Sequence, residues 1–288
     1  MTKPDFIIIG AMKSATSTMH TQLASQPGIF MSTPKEPNYF SDDVEYARGE
    51  AWYASLFDGA ESGDLCGESS THYTKLPDFP LTIERMAKHL DDVKFIYIMR
   101  HPIDRLVSHY IHQWTQNVIK CDINQAIVRY EELTAYSCYA RQLKPYFEQF
   151  GSENILPIFN EAIKQNSQEQ LQQVADFIGY KETVIWQDNL AAENVSRERI
   201  RTFTGYRWLI ESRAMTYLRR RLVPQRIRDK IKNSLTMDTR PEINEENLQR
   251  LVTLFDKDLA ILGADLGVEL SCTNFKQVVS NQQFWFRE

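Results

Sequence analysis

The sequence predicts an α/β fold of three layers, a central parallel sheet flanked by helices, followed by a helical C-terminal part. Three observations predict it. Short apolar runs rich in isoleucine and valine, read as buried strands, recur along the 288 residues. Stretches of helical pattern separate them, the order that βαβ units produce. Gly10, Glu68 and Arg100 fall at the carboxyl ends of three of these runs, which is where open α/β sheets bind ligands.

The first strand is expected over Phe6–Ile9. It breaks at Gly10, Lys13 follows in the turn, and Ser14, Ala15, Thr16, Ser17 and Thr18 lead into a helix over Thr16–Ser25. Such a turn aims backbone N–H groups and the positive end of a helix at one point, a ready site for phosphate. A lysine and hydroxyls there add charge-assisted hydrogen bonds. The spacing is not that of a Walker A loop, which places its lysine directly after a second glycine and a Mg²⁺-binding hydroxyl after that. Only two residues separate Gly10 from Lys13.

Further strands are expected over Leu65–Glu68, Val93–Met99 and Asn154–Phe159, and helices over Leu81–His89, Ile103–Thr115, Asn124–Leu133 and Cys138–Phe150. Arg100 ends the third strand, and Pro102 opens a helix at a favoured position. Arg105, Ser108 and His109 follow on that helix. Arg100 and Ser108 are placed to converge on one anion, the guanidinium offering a planar fork of donors and the hydroxyl one more. Ser167-Gln168-Glu169-Gln170 reads as a capping box for a helix ending at Gly179. A last helix, Glu245–Gly263, sets Leu248, Leu251, Val252, Phe255, Leu259 and Leu262 on one face.

Residues 10–18 resemble the G-x-x-K-[SA]-[GA]-T-[ST] loop with which sulfotransferases bind the 5′-phosphosulfate of PAPS (3′-phosphoadenylyl sulfate). Residues 100–110 are similar to their R-x-P-x-x-R-x-x-S-x-[HY] segment, whose arginine and serine bind the 3′-phosphate. The segment Pro34-Lys35-Glu36-Pro37-Asn38-Tyr39-Phe40 resembles the K-E-x-x-[FY]-F loop of heparan-sulfate-type sulfotransferases and their bacterial relatives, whose base is the loop glutamate. Gly67 to Tyr73 resembles their G-E-K-[ST]-P-x-Y strand end, with Ser69 where many carry a substrate-facing lysine.

The resemblance spans residues 4 to 180. It implies a P-loop-like fold in a single sulfotransferase domain over 1–288, with residues 190–240 as a basic helical cap or acceptor-side insertion. It implies in-line transfer of the sulfuryl group from PAPS to a hydroxyl or amine, leaving PAP, with no metal. By its terms Gly10 and Lys13 to Thr18 hold the 5′-phosphosulfate, Lys13 neutralises the leaving group, and Arg100 and Ser108 hold the 3′-phosphate. Glu36 is the base, with His72 as its rival, and the acceptor is a glycan, a glycolipid or a small metabolite, the Glu36 loop favouring one that contains carbohydrate.

Composition agrees with a globular enzyme: 42% hydrophobic and 25% charged residues. No apolar run approaches the ~20 residues of a membrane span. The strand begins almost at once after MTKP, which leaves no room for a signal peptide, so a cytoplasmic enzyme is expected. Cys66, Cys121, Cys138 and Cys272 show neither zinc spacing nor a disulfide framework. The chain is −5 overall, yet twelve basic residues against three acidic ones make the stretch from Arg197 to Lys232 +9. That stretch is a solvated face, a cap over the cofactor, a track for an anionic glycan or a membrane-surface helix. The aromatics near Trp52, Tyr53 and Phe57 read as core, and Phe284-Trp285-Phe286 as a docking tail.

Two other classes compete with the sulfotransferase reading. A P-loop kinase would need the Walker lysine and an aspartate at the end of the third strand, where Arg100 stands. A non-enzymatic protein would use the basic stretch on an anionic or membrane surface. Nucleic acid is not an expected partner.

Overall fold

The computed structural model describes residues 3–191, 237 and 239–287. Five parallel strands form the sheet, β1 (Phe6–Gly10), β2 (Ile29–Met31), β3 (Leu65–Ser69), β4 (Lys94–Met99) and β5 (Ile155–Phe159), in the spatial order β2-β3-β1-β4-β5. β1 pairs on one side with β3, Phe6 opposite Gly67, and on the other with β4, Ile7 opposite Phe95. The sequence pattern located four of these strands. β2 escaped it because three residues are too short to carry a period.

The strands are mostly apolar because both faces are covered, with Glu68 and Ser69 at the end of β3 and Lys94 at the start of β4 as the charged and polar exceptions. Ile7, Ile9, Phe95, Tyr97 and Met99 enter one core with Tyr139, Tyr146 and Leu259, whereas Phe6, Ile8, Ile96 and Ile98 enter the other with Met19, Leu23, Leu171 and Val174. A third cluster joins Leu106, Tyr110, Ile123, Ile127 and Leu133 to Leu251 and Phe255. The first two clusters, one on each face of the sheet, give the three layers expected, helices, sheet and helices. Tyr53 and Phe57 are buried in the first core, and the C-terminal tail packs its Phe284 on Phe159 and its Phe286 on Phe147 while Trp285 stays exposed.

Three expected elements differ in detail. The helix expected over Asn124–Leu133 is two helices, Ile123–Arg129 and Glu132–Ala135, broken at extended Tyr130. A continuous helix would turn Leu133 roughly a third of a turn away from Ile127, and the break lets both enter one cluster. The capping box at Ser167 does not form: Ser167 is already helical, the cap position is Asn166, and no side chain caps it. Gln168 serves elsewhere, donating to the Val184 carbonyl and accepting from the Trp186 N–H, both at 2.8 Å. The helix expected to be last, which a further short helix, Phe275–Ser280, follows, runs Glu245–Leu266, three residues past Gly263, and stops at left-handed Gly267. Its Leu248 is exposed rather than on the buried face.

Gly263 lies inside that helix because a Cβ there would sit 2.5 Å from the Val268 carbonyl oxygen. Helix propensity alone would make Gly263→Ala stabilising by about 1 kcal/mol. The backbone clash reverses the sign, and thermal unfolding should show a loss of about 1–3 kcal/mol.

Asp104, in the first turn of the helix Pro102–Thr115, receives Lys276 at 2.6 Å and Arg240. Burial alone would raise its carboxyl, but the two cations outweigh that and hold it at about 2, below its ordinary 3.8. A depressed carboxyl stabilises the fold above its unfolded value and loses that contribution as pH falls toward the folded one. Melting temperature should therefore decline between about pH 4 and 2, and Asp104→Asn should flatten that part of the profile.

Candidate active site

The strand order reverses direction between β1 and β4. The connection leaving β1 runs toward β2 and β3, while the one leaving β4 runs toward β5. The carboxyl ends of two such strands open a crevice. Residues 10–18 follow β1, residues 100–109 follow β4, and the two meet where Arg100 Nη1 donates to the Lys13 carbonyl at 3.4 Å.

The loop after β1 is turned by Lys13 and Ala15, at φ 71° and 70°. Ala15 caps helix α1 (Thr16–Ala24) without a side-chain bond, since alanine has no oxygen to offer. The first-turn N–H groups lack intrahelical acceptors in any helix, and Lys13, Ala15, Thr16, Ser17 and Thr18 line a cavity of about 800 Å³. Arg100 and Ser108 line the same cavity, as the sequence reading required. Gly10 and Ser14 do not. Gly10 is packed under the loop, where a Cβ would lie 2.1 Å from Thr74 Oγ1. Ser14 is fully buried with its hydroxyl unpartnered.

Glu36 and His72 also line the cavity. Glu36 sits at φ 58° and its loop neighbour Asn38 at φ 55°. Four of the five non-glycine residues at positive φ among the described residues thus lie in the two loops bordering this cavity, a concentration of strain that marks functional segments. The Glu36 loop is tied to the end of β3. The Glu36 N–H donates to the Ser69 carbonyl at 2.9 Å, and the Asn38 N–H donates to Ser70 Oγ at 3.1 Å. Ser70 Oγ donates in turn to Glu68 at 2.6 Å, and the Tyr53 hydroxyl donates to the other Glu68 oxygen. Burial pushes the Glu68 carboxyl up, with these hydrogen bonds pulling against it.

The two candidate bases differ. Burial pulls the Glu36 carboxyl upward, but Lys35 at 2.7 Å, then Lys75 and His72, more than offset this and hold it below its ordinary value. Thr71 Oγ1 donates to it at 3.3 Å. Burial and then Lys75 depress His72 to about 4, and its ring stacks on Phe79 at 4.7 Å. At neutral pH the first is an anion and the second a neutral imidazole.

Several lining residues were not read from the sequence: His112, Lys75, Asn160, Lys164, Ser167, Trp186 and Asp188. Asn160 follows β5 directly, so the strand-end rule applied to that strand too would have found it. Trp186 and Asp188 carry no local signal. They arrive because Gln22 on α1 and Gln26 just beyond its end hold the backbone of residues 185–187 through paired amide bonds of 2.7–3.0 Å. His101 and His109 stay outside, His101 bonding the Cys272 carbonyl and His109 fully buried against Tyr136. Ser69 is buried and points no charge into the site. The basic stretch from Arg197 to Lys232 lies outside the described residues.

A parallel sheet in this order, with a capless helix start and an arginine at the two central strand ends, defines an anion-binding α/β protein of the P-loop-like class. The family profile described as "Sulfotransferase domain" matches residues 3–260, and the chain belongs to that family. Heparan sulfate glucosamine 3-O-sulfotransferase 3B1 of Mus musculus is 27% identical over 197 residues, covering 63% of this chain and 47% of its own length. Membrane-associated sulfotransferase kil1 of Dictyostelium discoideum is 35% identical over 116 residues, covering 38% and 24%. The matches thus span half or less of these relatives. Among solved structures, a sulfotransferase from Alicyclobacillus acidocaldarius superposes with a TM-score of 0.66 at 22% identity, covering 94% of this chain and 98% of that one, which shows the shared fold.

If Arg100 grips a phosphate, Arg100→Ala should weaken PAP binding by on the order of 1.5–3 kcal/mol. Titration calorimetry without Mg²⁺ measures this, and unchanged affinity would remove Arg100 from the anion site.

Proposed function

We propose that the protein transfers the sulfuryl group of PAPS to a hydroxyl of a carbohydrate-containing acceptor. The observation that carries the proposal is the content of one cavity: Lys13, Thr16 to Thr18, Arg100 and Ser108 on one set of elements, Glu36 and His72 on another. Four lysine and arginine side chains line it against two carboxylates, Glu36 and Asp188, a balance suited to a multiply charged anion. The capless start of α1 fits a phosphate there.

In this reading the chain supplies position and charge, the two main resources of group transfer between oxygens. The α1 amides and Lys13 hold the 5′-phosphosulfate, and Lys13 balances the charge that gathers on the departing phosphate oxygen. Arg100 and Ser108 hold the 3′-phosphate. Glu36, anionic and fixed by its loop, accepts the acceptor's proton as the new S–O bond forms. A sugar hydroxyl is the acceptor favoured, because the Glu36 loop is the part resembling heparan-sulfate-type enzymes and because the 3B1 relative acts on heparan sulfate glucosamine by its name. A kinase would need other groups at the same strand ends, a carboxylate where Arg100 stands among them.

Glu36→Gln keeps the shape of the side chain and removes its basicity. With labelled PAPS and a panel of oligosaccharide acceptors, turnover should fall by about 10²–10⁴-fold, while PAP affinity and melting temperature stay near wild type. Because Glu36 acts ionised with a depressed carboxyl, wild-type activity should persist on acidification until the pH falls below its ordinary 4.5. Near-normal turnover in Glu36→Gln with collapse in His72→Ala would transfer the role to His72.

A further inference from the structure

Lys75 has no part in the reading above. It closes the short 3₁₀ turn Thr71–Thr74 and lines the cavity beside Glu36, Thr71 and His72, although only 8% of the residue is exposed. Among the described residues it forms no salt bridge, and its ammonium lies 5.9 Å from the centre of the Tyr136 ring. The charged groups that face it are Glu36, Asp78, Arg105 and Lys35, with His72 and His109 nearby. Both carboxylates are engaged elsewhere: Asp78 accepts from the Tyr136 hydroxyl, and Glu36 from Lys35 and Thr71. A buried ammonium so placed is costly until an anion reaches it.

We propose that Lys75 is a catalytic cation of the transfer step, its ammonium donating hydrogen bonds to the non-bridging sulfuryl oxygens as the group moves toward the acceptor hydroxyl beside Glu36. The proposal rests on the reading of the cavity given above. In that step the bond from sulfur to the bridging phosphate oxygen breaks, its electron pair leaving with PAP. The bond from sulfur to the acceptor oxygen forms, and the acceptor's proton passes to Glu36. Lys75 neither gives nor takes a proton.

The two lysines then have separate stations. Lys13 follows β1 at the phosphate end, and Lys75 stands at the Glu36 end. The end of β3 carries the uncharged Ser69, and six residues further on Lys75 brings a cation back to the same neighbourhood. Burial, the largest influence, draws the Lys75 ammonium down to about 8, so it is charged at neutral pH and loses its charge as pH rises through that value.

Reductive methylation of the whole chain at pH 8, followed by peptide mass spectrometry, tests this without an acceptor. Lys75 should be modified in the free chain and nearly as fast with PAP, but about tenfold more slowly with PAPS. PAP and PAPS differ only in the sulfuryl group, so equal protection by both overturns the proposal. So does a Lys75 that the reagent cannot reach in the free chain.

Lys75→Met and Lys75→Arg supply the second arm, with labelled PAPS and a heparan oligosaccharide as the probe. Lys75→Met should lose about 10–100-fold in transfer, with PAP affinity and melting temperature retained. Lys75→Arg should move the alkaline fall in activity above pH 8, because a guanidinium stays charged there. Parallel loss of PAP affinity and transfer in Lys75→Met would make Lys75 a structural support and overturn the proposal. Wild-type transfer in that variant would overturn it as well. Glu36→Gln, measured alongside, reports on the base assignment separately, so failure of one assignment is distinguishable from failure of the other.

Discussion

Parallel pairing of β1 with β4, at the point where the chain reverses its direction of travel across the sheet, is the constraint from which the site follows. β1 and all of β4 after Lys94 are buried on both faces, so neither can slip in register without exposing its side chains or stranding its backbone groups. Their fixed ends set the two segments proposed to hold the anion side by side, although some ninety residues separate them in sequence. The contact from Arg100 to the Lys13 carbonyl is the visible join. The helix start and the arginine can then act on one ligand.

The Glu36 side of the cavity depends on a different device, a buried carboxylate paired with hydroxyls rather than a cation. Glu68 is fully buried at the end of β3 and accepts from Tyr53 and Ser70. Ser70 also takes the Asn38 N–H, and the Ser69 carbonyl takes that of Glu36. The loop that carries Glu36 is therefore hung from the sheet by two bonds, while its φ values hold it in a conformation that an unsupported loop would avoid. The position of the carboxylate is set by the core, and its charge by Lys35.

Electrostatics explain why so many cations share this space. Arg105, wholly buried, donates from Nε to Ser137 and from Nη2 to the Leu133 carbonyl, while its Nη1 has no hydrogen-bond partner. Arg100, Lys13 and Lys75 instead line the cavity. Histidines nearby respond to the same field: burial and then Arg105 and Lys75 depress His109 to about 2, and burial and then Lys75 depress His72 to about 4. A region that holds its histidines neutral while keeping several cations is prepared for a ligand with several negative charges.

Local chemistry determined a large share of this in advance. The strand β1, the turn at Gly10, the position of Lys13 and the pairing of Arg100 with Ser108 on a Pro-started helix are all consequences of residues within a few positions of one another, so the chain alone carries them. The family resemblance rests on the same short segments. What tertiary structure decided is every relation that depends on long-range packing. Glu68 reads as a strand-end acid in sequence, and only the burial of Tyr53 against it makes it a loop anchor. Gly263 reads as a helix stop, and only the approach of Val268 makes it an interior residue. Trp186, Asp188 and Lys75 reach the cavity through contacts with elements more than 50 residues away, and no periodicity or spacing near them records it. Short-range patterns fix conformation because sterics and capping are local, whereas burial and electrostatic neighbourhood exist only once the sheet has brought distant segments together.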